Sequence, residues 1–213
     1  MTRPARLVVV IGTATEVGKT WVGSATIEHL RSAGATVAAR KPAQSFDPAD
    51  PHPTDAAVLA AASGEDASEV CPPHRSYTVP MAPPMAAHHL GLAVPTVAEL
   101  VDEVRWPDPA VDVGWLETVG GPRSPIGSDG DAVTVSGLLE PDVVVLVADA
   151  GLGTVNAVLV SIAPFDRYRT VVVLNRFDPD VELHVRNRDW LVEEHSLDVV
   201  TSAGDLAVEL LDR

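Results

Sequence analysis

Cysteine is almost missing: Cys71 stands alone in a chain of 213 residues. One thiol can neither close an internal disulfide nor build a cysteine metal cluster, and a reducing cytoplasm suits such a chain. Pro72 and Pro73 follow it with no base evident alongside, so it is not read as a catalytic thiol. Long apolar runs are also missing. Residues 7–11 and 143–148 are the strongest, and each suits a buried strand and is far too short to cross a bilayer. Arg3 and Arg6 precede no extended apolar stretch with a cleavage site, so no secretion signal is expected. Positive charge is scarce. Fifteen Lys and Arg face thirty Asp and Glu, a net charge of −15. Such a surface repels nucleic acid and anionic membranes, and neither is expected as a partner. Lysine is scarcest of all, with Lys19 and Lys41 against 13 arginines.

What is present points to one α/β domain over 1–213. The hydrophobic fraction of 46% excludes a disordered chain, and the length fits a single domain. Strands are predicted at 7–11, 36–39, 111–117, 143–148, 170–175 and 197–201. Helices are predicted at 19–33, 54–63, 97–104, 155–163, 183–195 and 203–211. The five prolines within 72–84 predict an irregular loop there. Apolar strands separated by helices imply a mostly parallel sheet with helices on both faces. Ligands of such sheets bind beyond the carboxyl ends of the strands. The polar motifs Gly12–Thr20, Lys41, Glu117 and Asn175 all fall there.

The strongest motif is Gly12-Thr13-Ala14-Thr15-Glu16-Val17-Gly18-Lys19-Thr20, between a strand and a helix. Its glycines let backbone N–H groups turn toward phosphate, and the helix N-terminus adds its dipole. Lys19 would reach the β- and γ-phosphates and the Thr20 hydroxyl would bind Mg²⁺, as in a P-loop NTPase. Five residues separate Gly12 from Gly18, one more than usual. The plain alternative is a glycine turn before an ordinary helix. Lys41, in Arg40-Lys41-Pro42-Ala43-Gln44-Ser45, is either a second phosphate-reaching cation or a solvated strand end. Asp55 and Glu117 are candidate Mg²⁺ carboxylates. Asp55 could equally be a first-turn acid of its helix. Asn175 could read an adenine edge or occupy a turn. His88 and His89 are adjacent and share no helix face, which argues against a metal site. His184, Arg186 and Arg188 read as a solvated helix surface.

These motifs resemble dethiobiotin synthetase. The family loop G-T-D-T-E-V-G-K-T is similar to residues 12–20, with a departure at Ala14. K-P-x-x-S resembles 41–45, the aspartate after a short loop resembles Asp55, and the family's tyrosine-linked proline segment resembles 80–83. E-G-x-G-G resembles 117–121, with Thr118 replacing a glycine. G-L-G-T-x-N resembles 151–156, and the adenine asparagine resembles Asn175. The likeness covers most of 7–180 and thins beyond, where the family has further adenine contacts. It implies ATP, CO₂ (or bicarbonate) and 7,8-diaminononanoate as substrates, Mg²⁺ as cofactor, and a cytoplasmic homodimer. One amine forms a carbamate, the carbamate attacks the γ-phosphate, and the second amine closes the ureido ring. The implied catalytic set is Lys41, Lys19, Thr15 and Ser45. Nucleotide contacts fall to Gly12, Thr13, Thr15, Glu16, Val17, Gly18, Lys19, Thr20, Asn175, Glu117 and Gly120, and metal contacts to Thr20, Asp55 and Glu117. Three other readings stay open: a diverged P-loop ligase or amidotransferase, a nucleotide-binding pseudoenzyme, and a partitioning switch. The loop has no lysine besides Lys19, which argues against the switch.

Overall fold

A computed structural model describes residues 2–212. Its valine-rich strands alternate their side chains between two covered faces, and this sets the architecture. β1 (Arg6–Gly12), β2 (Val37–Arg40), β5 (Val113–Glu117), β6 (Val143–Asp149), β7 (Thr170–Asn175) and β8 (Asp198–Val200) form a parallel sheet. Its order is β2-β5-β1-β6-β7-β8. Val8 and Val10 point into one core with Ile27, Leu30, Leu59, Trp115 and Leu206. That side carries α1 (Lys19–Ser32), α2 (Asp55–Ser63), α3 (Ala67–Val70) and α9 (Ala203–Leu211). Val9 and Ile11 point into the other core with Leu100, Leu116, Val135, Phe165 and Leu191. Over it lie α4 (Pro83–His89), α5 (Val97–Glu103), α6 (Ala132–Leu139), α7 (Thr154–Ile162) and α8 (Glu182–Glu193). β1 lies between β5 and β6, so the loop leaving its carboxyl end opens where the chain's connections diverge.

The expected parallel α/β architecture is present, with several local differences. β2 and β5 start later than their apolar pattern implies, at Val37 and Val113. Asp112 Oδ2 accepts the Thr36 N–H at 2.8 Å and the Thr36 hydroxyl at 2.7 Å, so a side chain takes the Thr36 donor while the Thr36 and Asp112 carbonyls still accept the Val113 and Arg6 N–H groups. The 72–84 stretch is partly regular. It holds a 3₁₀ turn at Pro73–Arg75 and a two-residue strand β4 (Ser76–Tyr77) paired with β3 (Gln44–Ser45), and α4 opens on its last prolines. Proline is well placed there, because the first helical turn has no use for its missing N–H. α6 is unanticipated: Asp131 accepts N–H bonds from Val133 at 3.0 Å and Thr134 at 3.2 Å, and this cap starts a helix in β-branched sequence.

β2 is an edge strand, and side chains occupy its outer row. Glu65 accepts the Ala39 N–H at 2.7 Å and the Arg40 guanidinium at 2.6 Å, while the Lys41 N–H donates to the Val70 carbonyl at 2.7 Å. Among the described residues no helix is long and apolar enough to cross a membrane.

Candidate active site

Residues 13–18 join β1 to α1, and the turn depends on glycine. Gly18 has φ of 90°, and a Cβ on it would lie 2.2 Å from the Asn175 amide nitrogen. No other residue takes that conformation and that contact without strain. Glu16 is also left-handed, at φ 61°. Its carbonyl is held by Arg176 at 3.0 Å, and Arg176 is anchored on Asp149 at 2.8 Å. Asn175 donates to the Val17 carbonyl at 2.9 Å. The tips of β6 and β7 thus brace the loop from behind.

Four side chains converge on the other side. The Thr20 hydroxyl is 2.9 Å from Asp55 Oδ1 and 2.9 Å from Glu117 Oε1. Lys41 Nζ lies 2.6 Å from Glu117 Oε1 and 2.9 Å from Asp55 Oδ2. Lys41 is 2% exposed and Glu117 fully buried. Burial alone would push the Lys41 ammonium down, but the carboxylates of Glu117 and Asp55 outweigh it and hold it above the ordinary lysine value. Burial would raise Asp55, yet Lys41 and Thr20 keep its carboxyl below the usual aspartate value. Lys19 goes the other way: burial pulls it down, and Lys41 adds to this against Glu117. Its Nζ donates to the Ala14 carbonyl at 3.4 Å, so the departure at Ala14 leaves a backbone acceptor in place.

Gln44 holds this cluster together and was not singled out from sequence. Its carbonyl accepts the Ala56 N–H at 3.0 Å, its amide donates to Ser76 at 2.8 Å, and the Thr54 side chain accepts the Ala57 N–H at 3.4 Å. These contacts fix the start of α2 and so aim Asp55 at Thr20. The Lys-Pro-x-Gln-Ser spacing contained the residue, but its role needs the contact with α2. Thr118, the second departure, donates its hydroxyl to the Val10 carbonyl at 2.9 Å inside the sheet and presents no new group to the cleft.

A cleft of about 650 Å³ opens over the cluster. Thr15, Glu16, Gly18, Lys19, Thr20, Lys41, Ser45, Asp55 and Gly120 all line it. Glu117 is fully buried and reaches the cleft only through its bonds to Thr20 and Lys41. Gly12, Thr13, Val17 and Asn175 do not line it: Gly12 and Thr13 bond to Gly120 and Val147, and Val17 and Asn175 bond to each other. Pro80, Met81, Pro83, Val119 and Pro125 give the cleft an apolar wall. The 151–156 segment lies apart from the cleft, with Leu152 92% exposed.

The residues present fit Mg²⁺. Glu117 Oε2 is buried and has no hydrogen-bond partner, and an orphaned carboxylate oxygen calls for a cation. Among the described residues no group of three or more His, Cys, Asp or Glu could cage a metal. Two carboxylates and a hydroxyl suit an ion that completes its shell with phosphate oxygens and water.

An AAA domain family model matches residues 6–205. The chain is similar to the ATP-dependent dethiobiotin synthetase BioD of Rhodococcus jostii, at 39% identity over 70% of this chain and 63% of that protein. It is also similar to those of Haloferax mediterranei, at 33% over 90% and 81%, and Anaeromyxobacter dehalogenans, at 33% over 93% and 91%. Among solved structures it resembles the signal recognition particle receptor FtsY of Elizabethkingia anophelis (TM-score 0.55, 15% identity, covering 99% of this chain and 67% of that one). The septum site-determining protein MinD of Pyrococcus horikoshii, complexed with Mg-ADP, is similar at TM-score 0.51 and 15% identity, covering 94% and 79%. These two likenesses speak for the P-loop fold alone. The family model spanning residues 6–205 and the relatives matched over most of both chains place the chain in the family of ATP-dependent dethiobiotin synthetases.

Proposed function

We propose that this chain is a ligase of biotin biosynthesis, joining CO₂ to 7,8-diaminononanoate with ATP to give dethiobiotin, ADP and phosphate. The observation that carries the reading is the meeting of Lys41, Thr20, Asp55 and Glu117 beside the phosphate loop. One amine of the diamine and CO₂ form a carbamate. A carbamate oxygen attacks the γ-phosphorus, the bond to the β-phosphate oxygen breaks, and ADP leaves. The second amine then attacks the carbonyl carbon and expels phosphate, closing the ring.

The protein's part is positioning and charge. Lys19 and Lys41 face the charge that develops on the transferred phosphoryl group. Held above its ordinary value, the Lys41 ammonium stays protonated and donates without taking a proton. Thr15 and Ser45 orient phosphate or carbamate through their hydroxyls. The wall of Pro80, Met81, Pro83, Val119 and Pro125 suits the aliphatic chain of the diamine. Mg²⁺, held by Thr20, Asp55 and Glu117, would neutralise charge on the β- and γ-phosphates. Asn175 supports the base end of the site through the loop. We also infer a cytoplasmic homodimer. The resemblance to the dethiobiotin synthetase family supports that reading.

The test is phosphate release from ATP with Mg²⁺ and bicarbonate, with and without 7,8-diaminononanoate. Diamine-dependent release with the ureido product seen by mass is expected. ATP binding together with phosphate release that the diamine leaves unchanged would sink the substrate assignment.

A further inference from the structure

An exposed tryptophan opens the helix that the phosphate loop leads into, next to Thr20 and outside the lining of the cleft. Asp55 and Glu117 gather around Thr20 on the β5 and β2 side of β1, which on the nucleotide-binding reading is the γ-phosphate end. The α-phosphate, sugar and base therefore run the other way, past Gly18 toward the tips of β6, β7 and β8. That side is thinly walled. β8 ends at Val200, paired with Val173 and so two residues short of the level of Asn175. Only Thr201 and Ser202 then precede α9. α9 meets α1 low down: a Cβ on Gly204 would lie 3.6 Å from the His29 ring, ten residues below Lys19 or roughly 15 Å along the helix axis. Asn175 is already bonded to Val17 and packed on Gly18.

Trp21 directly follows Thr20 in the first turn of α1. It is 63% exposed, while Lys19, Val22 and Gly23 are buried around it. Water is a poor environment for an indole ring, and a nucleobase face is a good one. We propose that Trp21 is the stacking platform for the nucleobase, replacing the wall that the short β8–α9 connection leaves out. The proposal rests on the nucleotide-binding reading of the phosphate loop.

The experiment compares the unaltered protein with Trp21→Ala and Trp21→Phe, titrated calorimetrically with ADP and with inorganic triphosphate in Mg²⁺. Trp21 is a surface side chain, so its truncation should leave the fold intact, which circular dichroism checks. Trp21→Ala should weaken ADP binding by about tenfold or more and leave triphosphate binding unchanged, with Trp21→Phe recovering most of the loss. Indole fluorescence should be quenched by ADP in the unaltered protein and not in Trp21→Phe, which retains Trp106, Trp115 and Trp190. Equal losses for both ligands, or no loss for ADP, would overturn the platform. Failure of both ligands to bind the unaltered protein would instead overturn the nucleotide reading, and the platform with it.

Discussion

Lys41 and Glu117 stand or fall together. Glu117 is fully buried, and its one paired oxygen accepts from Thr20 and Lys41. Lys41→Ala should lower turnover more than tenfold, a barrier change of ~1.4 kcal/mol. It should also lower stability by about 3–5 kcal/mol, because a buried charge loses its partner. Adding Glu117→Ala should restore part of the stability and none of the turnover. Thermal melts set beside steady-state rates separate the two effects, and a single variant that melts like the unaltered protein would contradict the coupling. Cys71 is a contrasting case. Burial pushes its thiol up to about 12, so it stays protonated and unreactive across the neutral range. A thiol reagent should modify it only as the chain unfolds, and rapid labelling of the native protein would refute this.

At the level of elements, α2 matters most to the site, because its first residue is Asp55. Gln44→Leu removes the acceptor for the buried Ala56 N–H, and an orphaned buried donor costs about 1–3 kcal/mol. The helix start should shift, and the Mg²⁺ dependence of ATP binding should weaken several-fold. Unchanged Mg²⁺ titrations would show that Thr54 alone holds the element. The same contacts explain what was legible in the sequence. Strands such as β1 and β6 announced themselves because both faces are apolar. α6 did not, since its signal is a cap by Asp131 against β-branched propensity. Lys19 and Thr20 were legible because phosphate loops are local in sequence. The joining of Lys41 to Glu117 across 76 positions, or of Arg176 to Glu16 across 160, follows only from the sheet order that brings them together.

For the molecule as a whole, the net charge of −15 opposes every anionic substrate. Lys19, Lys41 and the loop amides act locally, whereas repulsion by the distant carboxylates acts at range and is screened by salt. The association rate of ATP should therefore rise, or at least hold, from low to physiological ionic strength. Stopped-flow measurement of that rate checks this, and a steep fall with salt would mean that the approach path is net positive. The sealed outer row of β2 also bears on the whole molecule. Glu65 closes a ladder that another chain could otherwise extend, at the Ala39 N–H two residues before Lys41. Its loss would open a seam for strand-by-strand association, and the first casualty of clumping would be the very lysine that the site requires.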